Sequence, residues 1–261
     1  MKLNSAALTG FMLCLIALIF GVATNGGIGA VTRLLHFPSA VITFGGAFFS
    51  ALLTANSFPD YIDCLKSFKD AFFLSQESVE DITGKILGLS GLSRKEGLLA
   101  LESEAEKTDM PFLKKGLTLV VDGSDPDLTR DILESEMYHT IDRNGAHVKF
   151  WENLGSYGPA WGMIGTLLGL INMMADLEDV STVGPAMSLA LFTTLYGSIL
   201  ANWICIPLAR KIEKNGERKQ LVMEICIEGV LSIQAGENVR IIEEKLRSVA
   251  EAASSKAQSE T

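Results

Sequence analysis

Four apolar stretches without Asp, Glu, Lys, Arg or His dominate the pattern of hydrophobic and polar positions. They cover residues 6–24, 38–55, 155–175 and 183–208. Each is close to the length of about 20 residues that a helix needs to cross the hydrocarbon core of a bilayer. Lipid offers no partner to backbone polar groups, so spanning segments of this kind are helical. The pattern predicts an all-α membrane protein with four transmembrane helices and a large helical cytoplasmic domain between the second and third.

The polar segments between and after these stretches are also predicted to be helical. Spaced apolar residues favour helices over 78–89 and 94–108, and Ser124, Asp125 and Pro126 form a typical helix start. The helix that follows extends from residue 127 to about 151 and could continue into the third apolar stretch. No segment alternates with a period of two, so no sheet is predicted.

Hydropathy divides the chain into four parts. They are a transmembrane hairpin over 1–56, a cytoplasmic domain over 57–150, a second hairpin over 151–208 and a cytoplasmic tail over 209–261. The tail is expected to be helical to about Val249. Its polar end, residues 251–261, has the composition of a disordered segment.

The distribution of lysine and arginine predicts the orientation in the membrane. Lys66 and Lys69 follow the second stretch, and five basic residues follow the fourth within residues 210–219. The short loop 176–182 carries Asp176, Glu178 and Asp179 and no basic residue. We therefore expect both termini and residues 57–150 on the cytoplasmic side of the membrane. The first stretch has no good cleavage site for a signal peptide, and a second span follows at once.

Composition excludes several classes of function. The formal net charge of −9 argues against a nucleic-acid partner. Four cysteines without a CxxC pair and three separated histidines give no metal-ligand spacing, and no P-loop or nucleophile elbow is present. We expect no catalytic residue, no metal and no cofactor.

Small residues form one face of the third apolar stretch. Its glycines recur at spacings of 3, 4, 3 and 4 residues, at Gly155, Gly158, Gly162, Gly165 and Gly169. The fourth stretch has a matching series, at Ala190, Thr194, Gly197 and Ala201. Such faces let membrane helices approach closely, which is explained either by simple packing or by helices that move past one another.

Prolines and threonines add candidate chemistry to these two stretches. Pro159 and Pro207 lie near the same predicted boundary and either end or kink their helices or transmit a movement. Thr166, Thr193 and Thr194 either bond to their own helix or offer oxygens to a cation. Because no carboxylate lies in any stretch, conduction of protons or sodium would need a partner that supplies one.

The ordered motifs resemble those of the MotA/PomA family of flagellar stator subunits over nearly the whole chain. They are residues 37–40 (FPSA) with 44–47 (FGGA), 94–102 (RKEGLLALE), 158–170 (GPAWGMIGTLLGL), 184–187 (GPAM) with 193–197 (TTLYG), and 233–238 (IQAGEN). Residues 94–102 fill every fixed position of the family's R-x-x-G-x-L-A-L-E signature. Val239 stands where the family usually has proline, which we expect to affect only the local turn.

The resemblance implies a pentamer around two copies of a MotB-type subunit, which supplies the ion-binding aspartate. Ion flow is then converted into torque on the rotor protein FliG. By motif position, Arg94 and Glu102 contact the rotor, Pro159 and Pro207 couple ion flow to motion, and Thr166 and Thr194 line the ion path. The transported ion is H⁺ or Na⁺. A threonine at Thr166 resembles sodium-type members, whereas many proton-type members have alanine there.

Two alternatives are retained. One is an ion-driven energiser of the TolQ or ExbB kind, which has three spans and lacks the 44–47 and 94–102 motifs. The other is a passive membrane scaffold, which would explain the glycine faces but not the paired prolines and placed threonines.

Overall fold

A computed structural model of the chain describes residues 2–74, 78–175 and 178–259. The chain forms two compact units: Met1–Leu74 with Asn144–Glu213, and Ser75–Arg143 with Lys214–Thr261. The boundaries predicted from hydropathy, after residues 56, 150 and 208, differ from these. The difference arises because the polar helices after the second apolar stretch pack on the same core as the apolar helices.

Helices account for nearly all of the described residues. In chain order they are α1 (Ser5–Gly26), α2 (Ile28–Arg33), α3 (Phe37–Ala40), α4 (Gly46–Leu53), α5 (Phe58–Lys66), α6 (Phe68–Phe72), α7 (Val79–Glu96), α8 (Leu101–Lys107), α9 (Pro111–Val121), α10 (Pro126–Ala175), α11 (Val180–Ser198), α12 (Ile206–Gln234) and α13 (Val239–Ser259). One π-helical segment, Val41–Gly45, joins α3 to α4, and another, Ile199–Cys205, joins α11 to α12. A short 3-10 turn, Leu98–Ala100, precedes α8.

The all-α prediction is confirmed, with one small departure from the expectation that no sheet is present. Strand β1 (Lys2–Leu3) pairs antiparallel with β2 (Phe73–Leu74). The ladder continues as a hydrogen bond of 2.8 Å from the Asn4 amide to the carbonyl of Phe72. Two residues on each side are too few to produce a period of two in the sequence.

Aromatic side chains form much of the core of the first unit. Tyr61, Phe150 and Trp151 are buried, and the Tyr61 and Phe150 rings meet edge to face at 5.6 Å between centroids. Burial raises the pKa of the Tyr61 phenol, whose hydroxyl donates to the carbonyl of Phe48. The Trp151 indole N–H donates to the Ser67 hydroxyl at 3.0 Å. The polar tips of Tyr61 and Trp151 therefore both have a partner, as buried Tyr and Trp side chains usually do.

The second unit has its own aliphatic core. Ile82 and Ile86 of α7 are fully buried, as are Ile242 and Leu246 of α13. Helices α7 and α12 approach closely at Gly229, where a Cβ atom would lie only 2.6 Å from Cγ2 of Ile86.

Helix starts follow the sequence signals. Ser78 and Asp81 form a reciprocal capping box at the start of α7. Helix α10 begins at Pro126, and the Asp125 carboxylate accepts from the Asp127 amide at 2.9 Å. The predicted continuation of this helix into the third apolar stretch is confirmed, because α10 is unbroken through 50 residues to Ala175.

The single helix expected over 94–108 is not present, and this expectation was wrong. Helix α7 ends at Glu96, and Gly97 has a φ of +88°, which only glycine adopts without strain. The chain then passes through the 3-10 turn into α8. Arg94 and Glu102 therefore lie on two different helices.

Helix α13 extends to Ser259, into the segment 251–261 for which disorder was expected, and residues 260–261 lie outside the described residues. Residues 250–257 include four alanines, and alanine has the highest intrinsic helix propensity. Gly236, with a φ of +67°, makes the turn from α12, and Val239 is the first residue of α13. Proline suits that first position, so the family's proline and this valine fit the same turn.

Among the described residues, two helical stretches are long and apolar enough to cross a membrane. They are Ser5–Thr24 and Val180–Gln234, while Phe37–Leu53 is a shorter apolar helix. The third predicted span lies within α10 and is not one of these two stretches. It is rich in glycine, which lengthens a helix but adds little hydrophobicity. Asp176, assigned to the loop after that span, lies outside the described residues.

We predict that Gly229→Ala destabilises the second unit by about 1–3 kcal/mol, because its methyl group would overlap the buried Ile86 side chain. The matched control is Gly88→Ala on α7, where a Cβ meets no atom within 4 Å. Alanine there should be neutral or stabilise by up to about 1 kcal/mol. Thermal unfolding of the detergent-purified chain measures both variants, and equal melting temperatures would contradict the prediction.

Candidate functional site

The glycine face of α10 packs against α11 with the two backbones in contact. A Cβ atom on Gly162 would lie 2.9 Å from the carbonyl oxygen of Thr193, and one on Gly197 would lie 2.6 Å from that of Gly158. At Gly169, the carbonyl oxygen of Ala186 would lie 2.7 Å away. These distances leave no room for any side chain. The close approach that the glycine spacing predicted is therefore present, and glycine is required for it.

This approach brings together two of the predicted threonines. The hydroxyl oxygens of Thr166 on α10 and Thr194 on α11 lie 2.6 Å apart. Both are also within hydrogen-bond distance of the carbonyl oxygen of Ala190, at 3.2 Å each, and Thr166 lies 3.0 Å from the carbonyl of Gly162. Thr194 is exposed and Thr166 half-buried. Four oxygens thus converge at one accessible point, an arrangement that can interact with a cation or a water molecule.

Thr193 does not join this group. Its side chain is completely buried against Gly165, and its hydroxyl lies 3.0 Å from the carbonyls of both Leu189 and Ala190 of its own helix. Its carbonyl also lies 3.3 Å from the Thr43 hydroxyl. The geometry makes Thr193 a packing residue between three helices, because adjacent residues on a helix point about 100° apart.

Two prolines lie close to the threonines along the chain, one within α10 and one at the start of α12. Pro159 lies inside α10, and its Cα would be 3.1 Å from a Cβ on Gly197. Pro207 comes two residues after the π-helical segment Ile199–Cys205. Proline provides no amide hydrogen and crowds the preceding turn, which is a physical reason for the wider helix there. Both proline side chains are exposed.

Polar side chains that the sequence did not single out attach the second apolar stretch to α11. Ser39 and Thr43 are completely buried, and the Ser39 hydroxyl donates to the carbonyl of Leu189 at 3.2 Å. The Tyr196 hydroxyl accepts from the His36 amide at 2.8 Å and donates to the carbonyl of Leu34. Serine and threonine inside an apolar run are the signal that could have identified these contacts.

The FGGA motif has a structural explanation. A Cβ atom on Gly46 would overlap the Trp161 indole ring, which packs directly on the glycine. The Trp161 indole N–H donates to the Ser50 hydroxyl at 2.8 Å. The motif therefore provides a space for a tryptophan of α10.

The predicted rotor-contacting residues belong to the second unit. Arg94 lies in the last turn of α7 and Glu102 in the first turn of α8, and both are exposed. Within the described part of the chain, neither forms an ion pair. Between them, Leu99 is 73% exposed. These charges contribute little to the folded unit and are free to contact another molecule.

No grouping of three His, Cys, Asp or Glu side chains suited to a metal ion occurs among the residues that the structure describes.

We predict that Gly197→Ala separates α10 from α11 and destabilises the first unit, because its methyl group would overlap the backbone of Gly158. The matched control is Gly184→Ala on α11, where a Cβ meets no atom within 4 Å. Thermal unfolding in detergent should show a loss of about 1–3 kcal/mol for Gly197→Ala alone. An unchanged melting temperature in that variant would contradict the close approach of the two helices.

The comparisons with known proteins agree with the motifs. A profile of the MotA/TolQ/ExbB proton channel family matches residues 104–225. The chain is 38% identical over 232 residues to Motility protein A of Treponema phagedenis, which covers 87% of this chain and 88% of that protein. It is 34% identical over 239 residues to the chemotaxis protein PomA of Vibrio alginolyticus, covering 91% and 90%.

The fold is also that of a solved stator subunit. A chain of the flagellar MotAB stator complex from Bacillus subtilis superposes with a TM-score of 0.82 and 29% identity, covering 92% of this chain and 93% of that chain. The match extends over both compact units and the candidate site. The resemblance inferred from the motifs is confirmed: this chain belongs to the MotA/TolQ/ExbB proton channel family, within the group of the motility protein A and PomA subunits.

Proposed function

We propose that this chain is the MotA-type subunit of a flagellar motor stator, which conducts H⁺ or Na⁺ across the cytoplasmic membrane and converts the ion flow into torque. The observation that carries the proposal is the pair of hydroxyls of Thr166 and Thr194, 2.6 Å apart beside the carbonyl of Ala190. The two threonines lie in the motifs 158–170 and 193–197, which this chain shares with its family.

The proposal assigns the threonine pair to the ion path. Hydroxyl and carbonyl oxygens can replace part of the hydration shell of a sodium ion, as they do in selective channels. The same oxygens can order a file of water molecules along which protons move. The threonine at 166 favours sodium, because sodium-type members of the family have threonine there.

The four apolar stretches are proposed to cross the membrane, with both termini and the polar block on the cytoplasmic side. Two of them, Ser5–Thr24 and the start of Val180–Gln234, have the length and composition of a membrane span. The glycine-rich third stretch would then lie against the fourth at the centre of the assembly. Little lipid would reach its small-residue face, which is consistent with its low hydrophobicity.

A partner must complete the ion path. None of the four apolar stretches contains Asp, Glu, Lys, Arg or His. A MotB-type subunit would supply the aspartate that binds the ion, and five copies of this chain would surround two copies of it. Pro159 and Pro207 would couple the protonation or occupancy of that carboxylate to movement of α10 and α12.

Arg94 and Glu102 are proposed to contact the rotor protein FliG. Their exposure and their lack of ion pairs within the described part of the chain support this role. An energiser of the TolQ or ExbB kind is the second candidate, since the family profile covers those proteins too. The named relatives and the 94–102 motif favour the flagellar stator.

We predict that Thr166→Ala raises the external sodium concentration at which swimming speed is half-maximal. The chain is expressed with its MotB-type partner in a stator-deleted host that has a compatible rotor, and speed is measured against sodium at fixed pH. Loss of one coordinating oxygen should raise the half-maximal sodium concentration about tenfold.

Thr166→Ser is the matched control, because it keeps the hydroxyl and should retain sodium dependence. If the unmodified pair swims equally well without sodium and slows when the proton gradient is collapsed, the stator is proton-driven. If a well-expressed pair never restores swimming, the stator assignment itself is wrong.

We predict that Arg94→Glu and Glu102→Lys each abolish or strongly reduce swimming while the melting temperature stays unchanged. Both side chains are exposed, so the change in stability should be within about 0.5 kcal/mol. Lys95→Glu is the matched control, because Lys95 is a neighbouring exposed cation outside the fixed positions of the motif. Equal motility of all three variants would contradict the rotor contact.

A further inference from the structure

The first unit contains a cavity that the ion path does not use. It has a volume of about 530 Å³, within the range of cavities that hold small ligands. Its walls come from the second apolar stretch, helices α5, α6 and α10, and the π-helical segment before Pro207.

Apolar side chains line nearly all of this cavity. The lining includes Phe44, Phe48, Leu65, Trp151 and Ile204, and the cavity is widely open to its surroundings. The indole N–H of Trp151 is already bonded to the Ser67 hydroxyl at 3.0 Å. The interior therefore presents hydrocarbon, and a polar or charged ligand would lose its hydration there without compensation.

The mouth of the cavity is cationic. Lys66 and Lys69 are exposed residues that contribute to its lining, and neither forms an ion pair within the described ranges. Both follow the second apolar stretch, at the membrane boundary assigned above to the cytoplasmic side. Apolar walls with two unpaired ammonium groups at the edge match an amphiphile with a long hydrocarbon chain and an anionic head.

We propose that this cavity binds an anionic phospholipid of the cytoplasmic leaflet. An acyl chain would fill the space between Phe48 and Trp151, and the phosphate would lie between Lys66 and Lys69. The cytoplasmic leaflet is the anionic one, and basic residues at its surface attract such headgroups. The inference rests on the membrane placement given in the proposed function, and it adds a ligand that the stator mechanism does not require.

Bound lipid would contact two elements that carry the candidate site. Trp151 belongs to α10, which also carries Pro159 and Thr166, and Ile204 belongs to the π-helical segment before Pro207. Filling the cavity would add apolar contacts to both elements at the level of the prolines.

Fluorescence of Trp151 tests the proposal directly. The chain has three tryptophans, so Trp161→Phe with Trp203→Phe leaves Trp151 as the only reporter. The full-length chain in a nonionic detergent is titrated with phosphatidylglycerol or phosphatidylcholine, each brominated on its acyl chains. Phosphatidylglycerol should quench Trp151 at a concentration about tenfold lower than phosphatidylcholine.

The lysine pair provides the decisive comparison. Lys66→Gln with Lys69→Gln should remove the preference for phosphatidylglycerol, whereas the matched control Lys95→Gln with Lys114→Gln, two exposed lysines of the second unit, should keep it. Native mass spectrometry is then applied to the same lysine variants with all three tryptophans present. The Lys95 and Lys114 variant should retain more phosphatidylglycerol than the Lys66 and Lys69 variant, which shows that the tryptophan substitutions did not cause the difference.

Three results would overturn the proposal. They are equal quenching by both lipids, a preference that survives in the Lys66 and Lys69 variant, and no quenching by either lipid because another copy of the chain covers the cavity. Because the assay does not involve swimming, failure of the stator assignment and failure of the lipid site are distinguished.

Discussion

Contact between the backbones of α10 and α11 is the constraint on which the candidate site depends. At Gly158 and Gly197 the two helices approach so closely that a methyl group on either glycine would crowd the backbone of the other helix. This distance allows the hydroxyls of Thr166 and Thr194 to lie 2.6 Å apart, because threonine side chains are short. If larger residues separated the helices, the same threonines would bond only to their own carbonyls. The glycines therefore determine which contacts the threonines can make, although they contribute no functional group themselves.

Packing of this kind also suits helices that change position. A face of glycine presents few interlocking side chains, and here Thr193 is the side chain that fills the space at Gly165. Specific contacts elsewhere maintain the arrangement, since Ser39 and Thr43 bond to carbonyls of α11. Pro159 and Pro207 weaken their helices locally by removing one hydrogen bond each. The structure thus combines a close glycine contact with a local loss of hydrogen bonding in both helices, and the proposed coupling of ion flow to motion rests on this combination.

The two compact units separate the proposed ion path from the proposed rotor contact. Each has a separate core, aromatic in the first unit and aliphatic in the second. Helices α10 and α12 contribute residues to both units. Because Arg94 and Glu102 are not needed by the core of their unit, they are available to a partner. The cavity lined in part by Lys66 and Lys69 belongs to the first unit.

Local sequence signals predicted several parts of this protein correctly. Glycine spacing predicted the packing face of α10, Asp125 and Pro126 predicted where α10 begins, and ordered motifs identified the family. These features depend on residues close in sequence, through helical periodicity and capping. The expected helix over 94–108 was wrong because a single glycine, Gly97, adopts a positive φ, and a glycine inside a helical pattern does not reveal its conformation.

Other features were decided only by tertiary structure. Three threonines were candidates for the ion path, but only the rotation of α11 against α10 turns Thr194 toward Thr166 and buries Thr193 against Gly165. Likewise, the role of Gly46 depends on Trp161, a residue 115 positions away. The sequence determines which residue types can approach and which can donate oxygens, because those are properties of single side chains and local periodicity. Which of them meet is determined by how the helices pack, because that depends on all the side chains between them at once.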